Sequence, residues 1–111
     1  MSAAESTTRR PGRMRQTLEL ARFRAKPQTE AALVETRRRA IDALRSECEG
    51  FVSGSFVRIG EDEWIDVIVW SDRERAEIAA AKFLTIPGCA DHVEAVAELV
   101  SMEHGEIVDT D

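Results

Sequence analysis

The chain has 111 residues, 15 Lys+Arg against 21 Asp+Glu, two cysteines and a net charge of −6, enough for one modest core and not two. No apolar run nears the ~20 residues that cross a bilayer, and no apolar leader marks a secretory signal, so neither membrane insertion nor export is expected. Cys48 and Cys89, without Cys-x-x-Cys spacing, make neither a disulfide framework nor a zinc site, which suits a reducing, cytoplasmic setting.

Residues 1–15 carry four arginines against one glutamate, so this stretch is +3 and the remainder −9. Rich in Ser, Thr, Ala and Arg, interrupted by Pro11-Gly12 and lacking apolar periodicity, it is expected to be a flexible arm. An acidic body repels phosphate, so nucleic acid is not the expected partner. Gln16–Ala25 alternates with period two and predicts a first strand, with Ala21, Phe23 and Ala25 on one side and Leu18, Leu20, Arg22 and Arg24 on the other. Lys26-Pro27 ends it, and Thr29 is an N-cap with Glu30 in the first turn of a helix. Leu33, Val34, Ala40, Ile41, Leu44 and Cys48 form its apolar stripe, while Arg37-Arg38-Arg39 is expected on the solvated face. Gly50 ends the helix. Residues 51–59 and 63–70 predict a hairpin joined by Gly60-Glu61-Asp62. Ser71-Asp72-Arg73-Glu74 predicts a capping box, with Ser71 as the cap, opening a helix from 72 to about 83. Ile86-Pro87-Gly88 breaks it; a short helix over about 90–97 and a last strand over 98–108 follow, before the acidic end at 109–111.

The order β-α-β-β-α-β is the ferredoxin-like, split βαβ arrangement: an α+β fold whose four-stranded antiparallel sheet carries helices on one face. The other face is uncovered. In the third strand Ile65, Val67 and Val69 are assigned to the helices, which leaves Trp64, Asp66, Ile68 and Trp70 on the open side with Leu18, Leu20, Arg22 and Arg24. An apolar row of that size calls for a partner, and an isologous homodimer with the open faces together would bury it around a cavity.

Three segments carry a family resemblance: Leu18-Glu19-Leu20-Ala21-Arg22-Phe23-Arg24-Ala25-Lys26-Pro27, Trp64-Ile65-Asp66-Val67-Ile68-Val69-Trp70-Ser71 and Val100-Ser101-Met102-Glu103-His104. Over roughly residues 16–108 the chain resembles the antibiotic biosynthesis monooxygenase domains of the dimeric α+β barrel superfamily. The resemblance implies a homodimer with a ligand cavity at each sheet face, and a family whose members include cofactor-independent oxygenases of aromatic polyketides, haem-degrading enzymes and quinol oxygenases. Haem-degrading members use Asn, Trp and His, and the quinone-forming oxygenases a Tyr with Asn and Trp. This chain has neither Tyr nor Asn, so a base of another kind is required.

Strand order in such a fold sets the last strand beside the first and the first beside the third, so His104, Arg22 and Asp66 are expected to project into one cavity. There His104 would take a proton from an enol or phenol and Arg22 would stabilise the anion. Trp64, Trp70, Ile68, Leu20 and Met102 would contact the substrate. The alternative reading is structural: Arg22 and Asp66 a buried ion pair, His104 a satisfied half-buried residue, both Trp core or dimer contacts. His92 and His104 have no metal-ligand spacing, and no cofactor is expected. Cys48 and Cys89 are expected to be small buried hydrophobes. The functional expectation is a cofactor-independent monooxygenase of a small apolar or aromatic molecule; the alternative is a non-catalytic binding or scaffolding homodimer.

Overall fold

In the computed structural model, which describes residues 15–111, the chain forms strand β1 (Thr17–Ala25), helix α1 (Glu30–Glu47), strands β2 (Phe51–Arg58) and β3 (Glu63–Trp70), helix α2 (Arg73–Lys82), a 3-10 turn (Phe83–Thr85), helix α3 (Pro87–Val93) and strand β4 (Val96–Glu106). The expected N-terminal arm lies outside the described residues, apart from Arg15. The sheet has the order β2-β3-β1-β4 with every pairing antiparallel, and the neighbours expected for the first strand are the neighbours found. No helix among the described residues is long and apolar enough to cross a membrane.

Local chemistry sets the ends of the helices. Thr29 caps α1 by accepting the Ala32 amide at 3.1 Å, and Gly50 follows the helix with φ +90°, a backbone that favours glycine. A Cβ at position 50 would sit 2.7 Å from Arg75 Cβ, so the site also lacks room. At α2 the cap is Asp72, which accepts the Arg75 amide at 2.8 Å, and not the expected Ser71. Either residue can cap; the shift of one places the carboxylate against the helix dipole. Pro87 does break α2, but it does so as the first residue of α3, where its missing N–H costs nothing. The last helix and strand therefore begin earlier than 90 and 98.

The largest correction concerns the faces of β3. Trp64, Asp66, Ile68 and Trp70 are buried beneath the helices, and Ile65, Val67 and Val69 lie on the open face, the reverse of the expected assignment. Both rows of β3 are apolar, so period two identifies a strand without saying which row points inward. Pairing decides it. Phe23 stands opposite Trp64 and belongs to the inner row of β1, so the Trp row must be inner too. The two Trp also remove more area from water than Val and Ile, and the helix-covered side takes them. The core lies between this row and α1, whose inward stripe is Leu33, Arg37, Ala40, Ile41 and Leu44.

Candidate active site

Correcting that parity relocates the site. A cavity of about 380 Å³ opens between the sheet and the helices, not between two sheets. Its floor is the inner row of three strands, including Glu19, Ala21 and Phe23 of β1, Asp66, Ile68 and Trp70 of β3, and Met102 of β4. Its roof is α1, and its lining residues Leu84, Val93, Leu99 and Met102 are exposed, which marks an apolar mouth between α3 and β4.

The expected trio does not converge. Arg22 is on the open face, opposite Ile65, where its Nε reaches Glu63 at 2.6 Å. That contact holds the half-buried Glu63 carboxyl below the usual range. Asp66 is on the inner face, one strand away and on the other side of the sheet. His104 is also inner, but stands opposite Glu19. Of the expected substrate contacts, Trp70, Ile68 and Met102 line the cavity; Leu20 is half-buried on the open face and Trp64 lines an outer groove beside α1.

Two carboxylates instead face the cavity, each with a histidine. Asp66 accepts the Arg37 Nε–H at 2.9 Å, with side chains only 10% and 12% exposed. Arg37 Nη2 is also 2.9 Å from the same oxygen, but off the angle of a hydrogen bond, so its protons have no acceptor among the described residues. Arg37, expected among solvated arginines, falls at i+4 from Leu33 and i−3 from Ala40, inside the buried stripe. Glycine makes room for it: a Cβ on Gly54, in the middle of β2, would approach Nη2 to 3.1 Å.

His92 comes from α3 and packs edge-on against Phe23 and Phe56, with ring centroids 5.8 and 5.9 Å away. Its Nδ1 lies 3.2 Å from Thr36 Oγ1, and that hydroxyl donates its own proton to the Leu33 carbonyl at 2.9 Å. In the tautomer in which Thr36 accepts from His92 Nδ1, a lone pair remains on Nε2. Nε2 is buried, has no hydrogen-bond partner among the described residues, and faces Asp66 Oδ2 at 3.6 Å. Two acceptors side by side, with an unsatisfied guanidinium donor adjacent, invite a group that brings a proton and leaves an anion.

The second pair is Glu19 and His104. One Glu19 oxygen accepts the Trp70 indole N–H at 3.0 Å and lies 3.4 Å from His104 Nε2. Burial pushes the Glu19 carboxyl above its usual range, against the opposing pull of Trp70 and His104. Glu19 was legible: it shares the period-two row of Ala21, Phe23 and Ala25. His92 carried a weaker signal, its spacing of three from Cys89 on a short helix. Among the described residues no group of three or more His, Cys, Asp and Glu is arranged to hold a metal ion.

No family model matches the chain, and no curated protein does. Solved structures share its fold. A Bordetella bronchiseptica protein assigned by name to the antibiotic biosynthesis monooxygenases is 18% identical with a TM-score of 0.70, over 86% of this chain and 99% of that one. SnoaB, a cofactor-independent oxygenase from Streptomyces nogalater, is 21% identical with a TM-score of 0.61, over 87% and 95%. A dimeric ferredoxin-like protein from an uncultured marine organism is 11% identical with a TM-score of 0.60, over 87% and 91%. The α+β, ferredoxin-like architecture and its likeness to the monooxygenase fold thus agree with the resemblance read from the sequence.

Proposed function

We propose that this chain is a cofactor-independent oxygenase of a small aromatic molecule bound in the cavity beneath the helices, with His92 as the base. The observation that carries the reading is His92 Nε2, without a hydrogen-bond partner among the described residues and 3.6 Å from Asp66, in a cavity otherwise walled mainly by apolar side chains. A volume of about 380 Å³ falls within the ~300–1,000 Å³ of small-molecule sites and admits a ring system. The likeness of fold to SnoaB supports the reaction class.

In this reading Trp70, Ile68 and Phe23 pack on the ring, and His92 Nε2 takes a proton from an acidic C–H or O–H. The imidazolium that forms pairs with Asp66. The negative charge left on the substrate is stabilised by Arg37 Nη2, which needs little reorganisation because Asp66 already holds the guanidinium through Nε. The electron-rich anion then reduces dioxygen directly. His92 and Arg37 thus assume the roles first expected of His104 and Arg22, and Asp66 keeps a place in the site. The open sheet face, with Leu18, Leu20, Ile65, Val67 and Val69 half-buried, takes a second copy of this chain, giving a particle of twice 12.4 kDa in light scattering.

The test is oxygen uptake with a dihydroxyanthrone. His92→Gln is expected to lower kcat by ~10²-fold or more, the usual contribution of a general base. Arg39→Ala, an exposed residue paired with Glu35, serves as the control and leaves the rate unchanged. Uptake that is equal in the His92 variant and the parent protein would refute the assignment, and a chain that binds the anthrone without consuming oxygen would be the binding protein of the alternative reading.

A further inference from the structure

Among the described residues, Glu19 is the one titratable group lining the cavity for which deprotonation of the substrate finds no use. Its placement is specific. Glu19 stands opposite Ile68 and Asp66 opposite Ala21, so the two carboxylates are diagonal neighbours on adjacent strands, with backbones ~7–8 Å apart on the same face. Glu19, Asp66 and His92 all line the same cavity. Only one Glu19 oxygen is tied, to Trp70 and His104; the other has no partner among the described residues.

We propose that Glu19 is the proton donor of the cavity, its free oxygen carrying the proton that the reduced dioxygen takes up, with Trp70 and His104 as positioning residues for that carboxyl. This rests on the oxygenase reading. Addition of dioxygen to the carbanion forms a C–O bond and a terminal peroxide anion. The Glu19 O–H breaks, and the hydroperoxide O–H forms. The Glu19 carboxylate then removes the second hydrogen from the same carbon as a proton. The C–H electron pair becomes the C=O bond and the O–O bond breaks. The leaving hydroxide takes the proton held by His92 and departs as water. One dioxygen converts a CH₂ group to a carbonyl and a water, and both side chains return to their starting states. Burial favours the protonated carboxyl, the form a proton donor needs. The charged and titratable groups facing it are His104 from β4, Asp66 from β3, Arg37 from α1 and His92 from α3.

The experiment compares the parent chain with Glu19→Gln, which keeps an oxygen for Trp70 but cannot donate a carboxylic proton, and with Glu19→Asp. With a dihydroxyanthrone as probe, Glu19→Gln is expected to lower kcat ~10²-fold with KM within threefold, and to abolish the alkaline limb of the kcat–pH profile. Glu19→Asp restores part of kcat and the limb, and His104→Gln moves the limb to higher pH. An unchanged kcat and pH limb in Glu19→Gln overturns the proposal while leaving the His92 reading intact. If the parent chain consumes no oxygen, the oxygenase reading fails, and binding of the corresponding dihydroxyanthraquinone decides the role of Glu19. Affinity that falls as pH rises in the parent but not in Glu19→Gln retains it as the donor to a ligand oxygen; equal profiles overturn it.

Discussion

The Arg37–Asp66 pair makes the sharpest demand on the fold. Both side chains are nearly out of water, at 10% and 12% exposure, and the guanidinium bonds the carboxylate through Nε at 2.9 Å. Replacing Asp66 by Ala leaves a buried guanidinium whose desolvation is no longer offset, a situation that costs ~3–5 kcal/mol. Set against the ~5–15 kcal/mol of a whole domain, that is a large fraction of the total. For a chain of this size it lowers Tm by on the order of 12–20 °C. Removing both charges, as Arg37→Met with Asp66→Leu, returns most of the loss, because two apolar groups of similar volume need no partner. Urea unfolding at fixed protein concentration measures both, and the double-mutant cycle isolates the coupling. A loss below about 1 kcal/mol in Asp66→Ala, or a double variant as unstable as the single, would show that water reaches the pair and that its burial does not set its energy.

Two further outcomes follow from the titrating groups. Because burial raises the Glu19 carboxyl above its unfolded value, the folded state binds the proton more tightly, so its stabilising effect is complete below the unfolded pKa of about 4.5 and is lost as pH rises through the folded value. Urea midpoints of the parent chain minus those of Glu19→Gln, followed from pH 4 upward, should fall across that window; a rising difference would reverse the sign and refute the burial argument. Burial also pushes the Cys89 thiol up to about 11 and raises Cys48, so both should resist a thiol-reactive dye in the native protein and react at once in denaturant. Rapid native labelling at neutral pH would contradict it.

The sequence by itself determined the elements and their order. Period-two and period-3.6 patterns, Thr29 at a helix start, Gly50 at a helix end and the 60–62 turn are local signals, each written within a few residues, and topology follows from them with few alternatives. The inner row of β1 was also legible, because only one of its rows carries Phe23 with Ala21 and Ala25. What local patterning could not decide was the facing of β3, whose two rows are both apolar, and that single choice governs the site. It separates Arg22 from Asp66 by the thickness of the sheet and brings Asp66 to Arg37 and His92 from two helices, 29 and 26 residues away in opposite directions along the chain. Strand pairing and the partition of large aromatic area between a covered and an uncovered face are long-range properties, so only the tertiary structure decided which charges share the cavity.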